Sequence, residues 1–160
     1  MELKELMVEF GKRCGGGDFA PDEEGIVMIG LDDMIVKIRE VPELGMIVTY
    51  AEICEEPPED TGDLAKAMLQ ANYLFRGTAG AALAQDAETG MYYLNRSDDM
   101  KTLDGDSFFA MIERFTDTLE VWRTLVKDYR GPEKGDTALS MVENAQNGLM
   151  NIFGESFMRV

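Results

Sequence analysis

Apolar residues recur at helical spacing from Glu2 to Cys14, with Leu3, Leu6, Met7, Phe10 and Cys14 on one stripe, which predicts a first helix. Gly15-Gly16-Gly17 ends it, because glycine is costly inside a helix and suited to the turn that follows. Three strands are predicted next, over Ile26–Leu31, Met34–Arg39 and Leu44–Ile53, with Asp32-Asp33 and Pro42-Glu43 at the turns of an antiparallel meander. The first strand places Val27, Ile29 and Leu31 on one face and Ile26 and Met28 on the other. The third repeats this, with Leu44, Met46, Val48 and Tyr50 opposite Ile47, Ala51 and Ile53. A strand with one wet face alternates apolar and polar residues. These strands therefore need a second cover, from the same chain or from another.

Glu55-Glu56-Pro57-Pro58-Glu59-Asp60 reads as a loop, since proline forbids regular structure and the acids solvate it. A second helix is predicted from Asp63 to Phe75 on the stripe Leu64, Ala67, Met68, Ala71 and Phe75, closed by Gly77 and Gly80. A hairpin over residues 80–86 and 90–96 follows, its small residues Ala79, Ala81, Ala82 and Ala84 permitting close approach. The longest element runs from Asp104 to Arg130, on a stripe of Phe108, Ile112, Phe115, Leu119, Trp122 and Val126. One strand face is expected to meet this helix and the other the first helix or a second chain. Gly131-Pro132-Glu133-Lys134-Gly135 reads as a linker to a short amphipathic helix carrying Ala138, Met141, Val142, Ala145, Leu149 and Ile152, with Phe153, Phe157 and Met158 trailing. The fold class is thus α+β, an antiparallel sheet packed by helices, with a domain over residues 1–130 and an extension over 131–160.

Composition narrows the partner. The 160 residues are 45% apolar and 29% charged, the balance of a soluble globular chain, and the net charge of −16 disfavours nucleic acid and anionic membranes. The acidity keeps exposed apolar surface soluble or meets a basic partner. Two scattered cysteines, Cys14 and Cys54, and no secretory or membrane-spanning segment point to a reducing cytoplasm. Twelve methionines suit gap-filling or an adaptable apolar surface, with Met28, Met34 and Met46 on the strands.

The reactive groups are sparse. No histidine is present, so imidazole bases and histidine metal ligands are absent, and the cysteines lack metal spacing. Around Gly105 the earlier positions of a calcium loop fall on Met100 and Thr102. Carboxylate pairs such as Asp32-Asp33 read as solvated turns rather than as acid–base machinery. Neither a catalytic residue, a cofactor nor a metal is expected.

The order helix, three strands, helix, two strands, long helix resembles the class I chaperones of bacterial type III secretion, the group that includes the chaperones for Tir-like effectors. Leu3-Lys4-Glu5-Leu6-Met7-Val8-Glu9-Phe10-Gly11 is similar to the family's first helix, and Met68-Leu69-Gln70-Ala71-Asn72-Tyr73 to its "LLxAN" segment. Gly80 to Leu94 resembles its hairpin, and Leu103-Asp104-Gly105-Asp106-Ser107-Phe108 with Phe115 and Trp122 its last helix. The resemblance spans about residues 1 to 130. It implies a cytoplasmic homodimer that binds the extended N-terminal segment of a secreted effector without ATP hydrolysis, by strand addition and apolar pockets. Carried onto this chain, it implies partner contacts at Leu6, Phe10, Val27, Ile29, Ile35, Val36 and Met46, and a dimer interface at Ala71, Tyr73, Leu83 and Tyr92. A binding or regulatory module of the same fold, unconnected with secretion, is the alternative, and a carboxylate enzyme is a more distant one.

Overall fold

The computed structural model describes residues 1–59 and 62–155. Asp60 of the acidic loop and the trailing Phe157 and Met158 lie outside the described residues. The elements run α1 (Leu3–Arg13), β1 (Ile26–Leu31), β2 (Met34–Val41), β3 (Met46–Glu52), α2 (Gly62–Asn72), β4 (Ala82–Gln85), β5 (Tyr92–Asp99), α3 (Gly105–Asp128) and α4 (Ala138–Phe153). The strands form an antiparallel sheet in the order β1-β2-β3-β5-β4, an α+β arrangement. Two compact units divide the chain: Met1–Ala51 with Asn95–Arg114, and Glu52–Leu94 with Phe115–Val160.

In the first unit the tight turn at Asp32-Asp33 sets the β1–β2 register, which pairs Ile29 with Val36, Val27 with Ile38 and Met28 with Lys37. Side-chain alternation then decides the two-faced strand: Val27, Ile29, Val36, Ile38, Ile47 and Ala51 are buried. Met28 and Ile35, on the opposite face, remain 52% and 57% exposed. Both helices of this unit serve the buried face. Phe10 of α1 meets Phe108 of α3 edge to face at 6.0 Å, and the Thr49 hydroxyl of β3 lies 4.0 Å from the Met111 sulfur. Of the two covers expected for the second face, the first helix or a second chain, the first is corrected: α1 and α3 share one side of the sheet.

The third strand begins two residues later than predicted. Pro42–Leu44 forms a 3-10 turn, Gly45 takes φ 64° and breaks the extended run, and Leu44 is exposed. Proline fixes its own φ and favours the first turn of a helix, so the local chemistry overrides the apolar alternation.

Asp104 caps α3 by accepting a hydrogen bond from Ser107 N at 2.8 Å, with the Ser107 hydroxyl donating to the same carboxylate oxygen at 2.7 Å. These bonds hold the Asp104 carboxyl below its usual range. Its folded value being lowered, the cap stabilises the fold fully above the ordinary carboxylate range and loses that effect as pH falls through the lowered value. Asp104→Ala is expected to lower the melting temperature by roughly 2–4 °C at neutral pH. The difference from the parent should vanish once pH has fallen below that lowered value, in parallel calorimetric scans.

In the second unit, α2 packs its buried Leu64, Ala67, Met68 and Ala71 against α4, whose Met141, Val142, Ala145 and Leu149 are likewise buried. α2 ends at Asn72 rather than at Phe75. The Asn72 side chain docks on β4, its amide donating to Leu83 O at 2.9 Å while its carbonyl accepts from Leu83 N at 2.8 Å. Leu74 and Phe75 then turn into the left-handed region, at φ 53° and 54°, and point outward. Phe75 is therefore not part of the buried stripe.

Candidate functional site

A groove of about 780 Å³ lies wholly in the first unit, between the start of α1, the returning segment 17–21 and the start of β1. Its position follows from local sequence. The glycine run after α1 reverses the chain, and Gly17 returns so close to Gly11 that a Cβ on Gly11 would lie 2.6 Å from the Gly17 carbonyl oxygen. That approach brings the Phe19 ring to 5.6 Å from Phe10, edge to face. On the other wall, Glu40 of β2 accepts a hydrogen bond from Leu3 N at 3.0 Å, anchoring the free first turn of α1.

The lining is mainly apolar, with Leu3, Met7, Val8, Phe19, Pro21 and Val27 among its residues, and Met100 and Pro42 at one end. Glu2, Lys4, Asp18 and Glu40 are the charged residues around it. Val8 is 52% exposed and reaches outward from α1. β1 lies at one end of the strand order and pairs with β2. Among the described residues its other backbone edge has no strand partner; at Ile26 that edge is met by Asp22, whose N–H donates to Ile26 O at 2.9 Å and whose carboxylate accepts from Ile26 N at 2.9 Å, and beyond it the edge is a template for one more strand. The arrangement suits an extended apolar chain: backbone pairing along β1 and side chains seated in the groove.

Of the residues the resemblance assigned to partner binding, Val27 lines the groove. Leu6, Phe10, Ile29 and Val36 are buried in the chain's own core, and Ile35 and the half-buried Met46 lie on the opposite face of the sheet. That opposite face also carries Ile26, Met28, Val48 and Tyr50 around Lys37 and Arg39, with the Lys37 ammonium 6.0 Å from the Tyr50 ring centroid. Among the residues assigned to the dimer interface, Ala71, Leu83 and Tyr92 are buried, whereas Tyr73 is 63% exposed. Tyr73 does not stand alone: Leu69, 72% exposed, precedes it by one turn, and Leu74 and Phe75 follow. Exposed apolar residues gathered in one short stretch make it a candidate interaction surface.

Sequence reasoning missed Phe19, Met100 and Val8 in the groove and Leu69, Leu74 and Phe75 at the corner. Leu69 carried a signal, since an apolar residue off the buried stripe of a helix has nothing in its own helix to cover it. Phe19 carried none, sitting alone in a stretch of glycine and acid.

Among the described residues, no three His, Cys, Asp or Glu side chains converge as a metal site. The Cys54 thiol is pushed up by burial, which disfavours the thiolate and makes it a poor nucleophile at neutral pH. No helix of the described chain is long and apolar enough to cross a membrane.

A family model described as the Tir chaperone protein (CesT) family matches residues 5–123. No curated protein matches the chain. Among solved structures, the ExsC–ExsE complex has a similar chain, with TM-score 0.66 and 22% identity over 79% of this chain and 97% of that one. A chain of the HopA1–SchA chaperone–effector complex is similar at TM-score 0.62 and 15% identity, over 78% of this chain and 98% of that one. The Yersinia pestis type III secretion chaperone SycH, in complex with a stable fragment of YscM2, gives 0.56 and 16% over 72% and 94%. At these identities the likeness shows a shared fold.

Proposed function

The chain belongs to the Tir chaperone protein (CesT) family, and from that premise we propose that it is a cytoplasmic type III secretion chaperone holding the extended N-terminal segment of a secreted effector. The observation that carries the reading is the apolar groove beside the unpaired edge of β1. An extended segment satisfies its backbone along such an edge while alternate side chains enter the groove. Leu6, Phe10, Ile29 and Val36 act as the rigid core beneath it, with the buried Val27 at the groove's wall and the half-exposed Val8 meeting the segment. Ile35 and Met46 offer a second apolar contact on the far face of the sheet. The protein works by binding alone, without catalysis or ATP hydrolysis, because an unfolded segment needs only a surface that repays its ordering cost. The net charge of −16 keeps the exposed apolar surface soluble in the free chaperone.

A second copy pairs through the outward side of α2 and the turn after it, where Leu69, Tyr73, Leu74 and Phe75 are exposed together. The previously assigned Ala71, Leu83 and Tyr92 back this surface from within.

Val8→Glu tests the groove. Val8 is half exposed, so the fold should hold, with stability within about 0.5 kcal/mol of the parent by urea unfolding. Binding of an effector N-terminal fragment, followed by calorimetry, is expected to weaken at least about tenfold, since a charge set against apolar contacts costs upward of ~1.4 kcal/mol. Unchanged affinity would place the segment elsewhere.

A further inference from the structure

We propose that α4 is a clamp that holds the turn after α2 in its outward-facing shape, so that pairing with a second copy depends on residues beyond the family match. The inference rests on the pairing surface proposed above and adds what keeps that surface in place. The family match ends at residue 123, and α4 begins at Ala138.

Gly77 is the point of contact. Its N–H donates to Ala71 O at 3.0 Å, and its carbonyl accepts from the Trp122 indole N–H at 2.7 Å. A Cβ on Gly77 would lie 2.7 Å from the Ala71 Cβ and 3.7 Å from the Ala145 Cβ of α4. The chain leaving the turn is thus pinned from three elements: the small Ala71 of α2 and Ala145 of α4, and the indole of Trp122 on α3. Just before it, Leu74 and Phe75 hold left-handed backbone conformations that large side chains disfavour. Such conformations persist where the surroundings over-determine them. The strain has a visible result, because it turns both side chains outward beside Tyr73. With α4 removed, Gly77 loses one of its three walls, the turn relaxes toward ordinary backbone angles, and the outward patch is lost.

The test compares the full chain with one ending at Arg130, by light scattering over a concentration series. Circular dichroism reports folding, and the emission of Trp122, the only tryptophan, reports the turn. The full chain should be dimeric. Where the shortened chain still melts cooperatively, it should show red-shifted emission and pair at least about a hundredfold more weakly. A folded shortened chain that pairs with unchanged affinity overturns the clamp and leaves the pairing surface standing. A monomeric full chain overturns the pairing surface itself. If the shortened chain does not fold, Ala145→Leu decides: it should fold and pair about tenfold more weakly, with Ala145→Ser restoring pairing, and a folded Ala145→Leu with normal pairing overturns the clamp. Leu139→Gln, on the exposed side of α4, should change neither readout.

Discussion

Ile29→Asp is expected to abolish the cooperative thermal transition of the first unit, whereas Met28→Asp, one residue earlier, should leave it within about 0.5 kcal/mol of the parent. Ile29 is fully buried on β1 opposite the fully buried Val36. A carboxylate there must be desolvated without a partner or protonated against its normal preference, and an unpaired buried charge costs on the order of 3–5 kcal/mol. The methyl groups lost with isoleucine add about 2–5 kcal/mol. Together these approach the whole stability of a domain, about 5–15 kcal/mol. The same logic applies to Val27, which is also buried, so a charge there unfolds the chain rather than acting on binding alone. Met28 points the other way, pairs with Lys37 across the strand and keeps half its surface in water. Circular dichroism melts of the two variants are the check, and similar behaviour of both would contradict the strand register.

Trp122→Ala should cost about 3–5 kcal/mol, the largest loss expected from any truncation in the second unit. Its side chain is fully buried and its N–H bonds the Gly77 carbonyl at 2.7 Å. Truncation opens a cavity and also strands that buried carbonyl, which alone costs about 1–3 kcal/mol. Trp122→Phe separates the two effects, since it keeps most of the volume and removes only the donor. It should fall between parent and Trp122→Ala in urea unfolding followed by circular dichroism. A Trp122→Phe variant as stable as the parent would show that the indole hydrogen bond contributes nothing.

Much of the fold was legible because long periodic stretches leave little freedom. The stripe from Phe108 to Val126 could only be a helix, and α3 is that helix from Gly105 to Asp128. The strand ends were harder. Leu44 kept the alternation of the third strand, yet Pro42 and Gly45 set its backbone. Which face of β1 is core was ambiguous from β1 alone, as both are apolar. The answer lay in β2: the turn at Asp32-Asp33 fixes the pairing, and Lys37 and Arg39 mark the parity that faces water. Reading the two strands as a registered pair would have placed Val27 and Ile29 inside. The groove was not legible, because it depends on Gly11 and Gly17 meeting across a chain reversal and on Phe19 landing beside Phe10. The outward turn after α2 was hidden for a similar reason. Left-handed conformations at Leu74 and Phe75 run against local preference, so no residue pattern announces them.

In the function proposed above, an effector segment pairs with the edge of β1 and fills the adjoining groove. Amide hydrogen exchange, read by mass spectrometry with and without a bound N-terminal effector fragment, tests it most directly. Binding should slow exchange across residues 17–31, with protection at β1 greater than at α4, and Val8→Glu should remove the effect. Tight binding that leaves residues 17–31 exchanging as in the free protein would show that the segment is held elsewhere.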